Sequence, residues 1–169
     1  MKWRNVLTED GRDSSLFKEV DSFVKELGLE TVEVTDSIHQ GNHSMRVIVA
    51  RKDGEITTDD LAEIYNIIYP RYSVIYSDRD LQLEVSSPGL QRAFKDVLEF
   101  SVFEGKLVRA YSVSRSQYVV GKIEKAGEDS VILSDYFIED GNEKGESISL
   151  PYSDIAKAKL EYRWEANNA

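Results

Sequence analysis

Leu81-Gln82-Leu83-Glu84-Val85-Ser86-Ser87-Pro88-Gly89-Leu90-Gln91-Arg92 separates two kinds of sequence in this chain. Its first five residues alternate apolar and polar, the period of a strand with one buried face. From Ser86 the period breaks. Pro88 fixes φ, Gly89 permits a positive φ, and the serine hydroxyls can satisfy backbone groups. The stretch reads as a strand running into a rigid exit turn, which would hold Arg92 and Lys95 where one domain gives way to the next. Before it, helical and strand periods are mixed; after about Lys95 the strand period takes over.

Working back from that stretch, Leu16, Phe17, Val20, Phe23, Val24 and Leu27 share one helical face. Ser14 or Ser15 can cap this helix, and Gly28 stands where a left-handed residue ends one. Two strands follow over residues 30–37 and 44–50, separated by the turn-rich 38–43, and read as a hairpin. Thr57-Thr58-Asp59-Asp60 offers a hydroxyl cap and carboxylates to the positive end of a second helix. Leu61, Ile64, Tyr65 and Ile68 form its stripe, and Pro70 is expected to stop it, leaving residues 71–80 as a linker.

Working forward, a turn of helix is expected within 97–103, and strands over 106–113, 117–124, 130–138, 146–150 and 156–162. Residues 151–155 fit a tight turn before the last strand, and the acidic 139–145 a loop. Five short strands cannot cover both faces of a flat sheet, so the economical arrangement is a small barrel around one core. The expected fold is α+β: an N-terminal two-layer α/β domain with helices on a small mixed sheet, then an SH3-like or Sm-like five-stranded β-barrel. The domains are expected at 1–94 and 95–169, the second ending in a frayed tail over 165–169.

Composition narrows the function classes. The chain of 169 residues is 41% hydrophobic, as folded proteins are, and has no cysteine, which removes disulfides, thiolate nucleophiles and Cys-based metal sites. The longest apolar run is Val47 to Ala50, far short of the roughly 18 to 20 residues needed to cross a bilayer. Residues 1–10 have no apolar segment of a secretory signal, so the expected location is cytoplasmic, with no membrane partner. Residues 1–94 carry 11 basic and 17 acidic side chains and residues 95–169 carry 10 and 14, giving a net charge of -10. Neither half is a basic domain, so any contact with nucleic acid must be local.

No catalytic motif stands out. His39 and His43 have the spacing of a helical metal pair, but Gly41 and Asn42 lie between them, and a solvent-facing turn pair is expected. Asp78-Arg79-Asp80 could suit a hard cation, but a turn before a buried strand explains it. Ser86 and Ser87 precede Pro88-Gly89 rather than sitting in a nucleophile elbow, and no glycine-rich nucleotide loop is present. The expectation is a non-enzymatic protein with no metal, cofactor or small-molecule substrate.

Residues Leu83 to Leu90, with Arg92, resemble the hallmark Leu-Glu-Val-Ser-Ser-Pro-Gly-Leu run of the RimP family. The resemblance continues upstream in Met45-Arg46-Val47 and residues 54–60, and downstream in Phe103-Glu104-Gly105-Lys106, Gly121 and residues 148–160. Departures are Ala50, Leu61, Gln91 and Ala93, where the family often has aspartate, cysteine, an acidic residue and proline.

The resemblance implies a factor that binds the immature small ribosomal subunit and assists its assembly, including incorporation of small-subunit protein twelve. The resemblance leaves rRNA within the subunit open as a further partner. The acidic charge suits a basic ribosomal protein. The expected contact residues are Ser86, Ser87, Pro88, Gly89, Leu90, Arg92, Lys95, Lys157 and Lys159, with Arg92 and the lysines available to phosphates. An Sm-like RNA-binding regulator acting outside the ribosome is the rival reading, and a small hydrolase the third.

Overall fold

A computed structural model of the protein describes residues 12–77 and 80–162. Asp78 and Arg79, residues 1–11 and residues 163–169 lie outside this range, and with them the expectations placed on the 78–80 turn, the N-terminal ten residues and the tail. The chain divides into two compact units between Pro88 and Gly89.

The first unit is α+β, with α1 (Ser15–Glu26), β1 (Glu30–His39), β2 (Asn42–Ala50), α2 (Thr58–Ile75) and β3 (Asp80–Ser86). Ser14 caps α1 by accepting the Phe17 amide, and Gly28 follows its end at φ 74°, as the sequence predicts. The hairpin is tighter than predicted. Its strands run through to His39 and Asn42, and Gln40 and Gly41, both at positive φ, make a two-residue turn. β1 and β2 pair antiparallel, β2 and β3 parallel, so the three-stranded sheet is mixed.

Pro70 does not end α2, which continues to Ile75. Proline removes only one intrahelical bond and the following turn is held from outside. Arg71 Nε and the Tyr72 hydroxyl both donate to the Glu19 carboxylate, at 2.6 and 2.5 Å, while the Tyr72 ring is buried. The start of α2 is a capping box: Asp60 accepts from the Thr57 amide and Thr57 accepts from the Asp60 amide, while Arg51 grips the same carboxylate at 2.8 Å.

Val20 and Val24 of α1, Ile64, Ile68 and Tyr72 of α2, and Met45, Val47 and Val49 of β2 form one core. Leu81, Leu83 and Val85 pack against it from β3, the alternation read from the sequence. The strand positions between them, Ser44, Arg46, Gln82 and Glu84, line a shallow polar groove on the other face with Thr35 and Ser37.

The second unit contains α3 (Glu99–Val102), β4 (Leu107–Ser112), β5 (Gln117–Ala126), β6 (Ser130–Ile138), β7 (Lys144–Pro151), a 3-10 turn (Tyr152–Asp154) and β8 (Ile155–Leu160). The strands form an antiparallel sheet in the order β7-β6-β5-β4-β8. The five strands and the tight turn fall where the sequence predicts them. Among the described residues no ladder joins β7 to β8, so closure into a barrel is not seen as a continuous ring of strands. The expected 139–145 loop is shorter, because Lys144 and Gly145 already pair with Phe137 and Tyr136. Phe94, Phe100, Phe103 and Tyr152 interlock, and with them Val108, Leu133 and Leu150 are buried in this unit.

Candidate functional site

The predicted contact residues fall into two groups along the exit stretch. Ser86 ends β3 opposite Ile48 and is half-buried, Ser87 is exposed and Pro88 half-buried; these three close the first unit. Gly89 opens the second. Its carbonyl accepts the Arg92 amide at 3.1 Å, and Leu90, within this turn, is 62% exposed. The positive φ that Gly89 permits is not adopted; among the described residues the positive-φ glycines are Gly28, Gly41, Gly54 and Gly105. A β-carbon added at Gly89 would meet no atom within 4 Å, so the turn does not require glycine for conformation or space.

Arg92 is not at the surface. Its Nε donates to Glu99 Oε1 at 2.7 Å and its Nη2 to Oε2 at 3.2 Å, with the Arg92 side chain 8% exposed and that of Glu99 fully buried. The Lys95 amide donates to the same carboxylate at 2.8 Å. The expectation that Arg92 offers its charge to phosphate is therefore corrected: the fork geometry of guanidinium and carboxylate is spent inside the fold. The strand-like run Arg92–Phe94 continues along β8, where Phe94 donates to the Ala158 carbonyl and Leu160 to that of Arg92, both at 2.9 Å. Lys95 itself is exposed.

Lys157 and Lys159 lie on β8 at alternate positions, opposite Tyr111 and Arg109 of β4. Antiparallel partners share a face, so these four side chains project together. Tyr118 of β5 joins them, paired with Tyr111 and meeting it edge to face at 5.0 Å between ring centroids. The Arg109 guanidinium carbon sits 3.4 Å from the Tyr118 ring centroid, and Lys157 Nζ 5.7 Å from it. Glu139 anchors Arg109, accepting from Nη2 at 2.7 Å and from Nε at 3.0 Å, and Glu161 stands 4.0 Å away. The hydrogen bond from Lys157 is the main influence holding the Tyr118 phenol below the usual tyrosine range, with burial opposing and the Lys157 and Arg109 charges assisting.

Sequence reasoning placed Lys157 and Lys159 on one face but missed Arg109, Tyr111 and Tyr118. The signal was half present, since Arg109 and Tyr111 alternate with the buried Val108 and Ala110. What brings Tyr118 beside them is the β4–β5 register.

The histidines also differ from expectation. His39 is exposed, but His43 is buried, stacked on Tyr76 at 3.7 Å, with Nε2 3.2 Å from Asp36 Oδ2. Among the described residues no group of three His, Cys, Asp or Glu side chains could hold a metal ion.

Residues 19–91 match the family model for the RimP N-terminal domain. A curated protein, Ribosome maturation factor RimP of Borrelia hermsii (strain HS1 / DAH), is 28% identical over 148 residues, covering 88% of this chain and 95% of that protein. Both matches are to the RimP family.

The 148 aligned residues exceed what either compact unit contains, so the likeness to RimP extends over both. The residues that resemble RimP also have definable structural roles here. Leu83 and Val85 seal the first core, and the Thr57 to Asp60 box starts α2. Gly121 lets β5 lie close to β6: an added β-carbon would come within 3.0 Å of the Leu133 Cβ and 3.2 Å of the Ser134 carbonyl oxygen. Asp154 accepts from the Ser112 hydroxyl at 2.6 Å and the Ser114 amide at 2.8 Å, tying the turn before β8 to the end of β4. Those bonds, that of Ser112 first, hold its carboxyl below the usual range.

Proposed function

We propose that this chain is a cytoplasmic ribosome maturation factor that binds the immature small ribosomal subunit and assists its assembly without making or breaking a covalent bond. Incorporation of small-subunit protein twelve is the step assigned to it, and rRNA within the subunit the second partner. The similarity to the RimP family over both units is the observation that carries this reading, and the name of the relative supplies the process. The contacts proposed are the exposed Ser87 and Leu90 with their neighbours Ser86, Pro88 and Gly89, and separately Lys95, Lys157 and Lys159. Arg92 serves the scaffold.

We further read the five-stranded sheet as an SH3-like small barrel. The last strand lies beside the first of the five, a tight 3-10 turn precedes it, and the apolar side chains gather on one face, as a sheet curling around its own core requires.

One observation weighs against an Sm-like ring. A head-to-tail ring needs an open strand edge at each end of the repeating sheet. Here the outer edge of β8 is occupied by Arg92–Phe94.

The test is a sucrose-gradient profile of cells lacking the gene. Free small subunits and precursor rRNA should accumulate, and the protein should comigrate with free small subunits. An unchanged profile at stressful temperature overturns the proposal, as does comigration with small RNAs alone.

A further inference from the structure

We infer that the outer face of β4, β5 and β8, centred on Tyr111 and Tyr118 and flanked by Lys157 and Lys159, binds single-stranded RNA. The inference rests on the ribosomal reading above for its setting, but its argument is local.

Two tyrosines at adjacent sheet positions, both part-exposed, form an aromatic surface beside two lysines. Among the described residues neither lysine has a carboxylate partner, although the unit as a whole is acidic. Lysines that served only solubility would be scattered among the acidic side chains. Here Lys157 and Lys159 project from the same face of β8, Lys157 beside the Tyr118 ring and Lys159 one pair along, opposite Arg109. Arg109 has a different duty: its charge is balanced by Glu139, and its guanidinium backs one side of the Tyr118 ring. It is a positioning residue that fixes Tyr118 and leaves Tyr111 as the more available ring.

Rings beside lysines that no described carboxylate pairs with suit a ligand that is both planar and anionic. Nucleotides supply both features, a base to stack and a phosphate to pair with lysine, and base stacking on aromatics tolerates any sequence. A duplex hides its base faces within its own stack, so the fitting form is unpaired RNA, such as an unfolded segment of immature rRNA. An acidic peptide would satisfy the lysines but leave the rings unused.

Fluorescence anisotropy of the full-length protein with a short labelled oligouridylate tests this. The parent should bind it, and bind a duplex of equal length more weakly. Tyr111→Leu should weaken binding roughly 5- to 150-fold, the range for losing one stacked base. The double variant Lys157→Gln with Lys159→Gln should lower the slope of log affinity against log salt by about 1.4, two phosphate contacts on a single strand. Thermal melting of each variant shows whether it folds, and the lysine variant, altering only surface groups, keeps the test open if Tyr111→Leu unfolds. No binding by the parent at low salt, equal binding of duplex, unchanged binding by the folded variants, or competition by oligoglutamate as strong as by unlabelled RNA would each overturn the inference. The gradient profile separates the two levels: if loss of the gene impairs maturation while the parent ignores oligouridylate, the ribosomal role stands and this face is wrongly assigned.

Discussion

Arg92 and Glu99 form a bidentate ion pair, 2.7 Å at its shorter contact, in which the carboxylate has no exposed surface. Burying a charge is costly, and this pair recovers the cost only while both members are present. Arg92→Ala should therefore destabilise the protein by about 3 to 5 kcal/mol, far more than loss of a surface cation. Arg92→Lys should recover only part, since an ammonium cannot make both bonds. Denaturant unfolding of the two variants checks this, and a parent-like midpoint for Arg92→Ala would return the residue to the surface role read from the sequence.

Gly89 and Gly121 should respond oppositely to a β-carbon. Gly89→Ala has open space and no positive φ to oppose it, so stability should change by no more than about 0.5 kcal/mol. Gly121→Ala drives a methyl group against Leu133 and the Ser134 carbonyl, and should cost about 1 to 3 kcal/mol. Thermal melts of the two alanine variants side by side are sufficient.

The Thr57 to Asp60 box is testable by pH. The Arg51 hydrogen bonds, followed by those from Thr57, lower the Asp60 pKa to about 2 from an ordinary 3.8. A depressed folded-state value means that the stabilisation is complete above the ordinary value and fades as pH falls toward about 2. Asp60→Asn should lower the melting temperature at neutral pH and flatten its decline between those two values. Thr57→Ala should cost about 0.5 to 2 kcal/mol by removing the cap hydroxyl.

His43 has one ring nitrogen, Nδ1, buried without a hydrogen-bond partner among the described residues, while its ring stacks on Tyr76. His43→Phe keeps the stack and removes the unsatisfied atom, and Asp36, which loses its partner, is partly exposed. Melting should be unchanged or higher, whereas His43→Ala, which leaves a void, should lower it by about 2 to 4 kcal/mol in stability.

Fragments should be sensitive to where they begin. We propose that each unit folds alone, but residues 89–169 should keep far more β-structure than 95–169, because Arg92 and Phe94 bond to β8 and Arg92 neutralises Glu99. Circular dichroism of the two fragments decides it; equal spectra would mean that the 92–94 run contributes little.

By itself the sequence determined the elements whose reasons are local. The α1 stripe and its Ser14 cap, the Thr57 to Asp60 start of α2, the Leu81-Leu83-Val85 alternation and the five later strands all depend on periods and caps within a few residues. It also carried the family motif. Tertiary structure alone decided the rest, because each case turns on a partner remote in the chain. Helix α2 survives Pro70 because Arg71 and Tyr72 bind Glu19, a residue of α1. Arg92 looks exposed in a turn sequence until Glu99 is folded beneath it. Tyr111 and Tyr118 become neighbours, and Lys157 joins them, only through the β4–β5 and β4–β8 registers. A period tells which way a side chain points; which residue it meets depends on how separate strands and helices are paired.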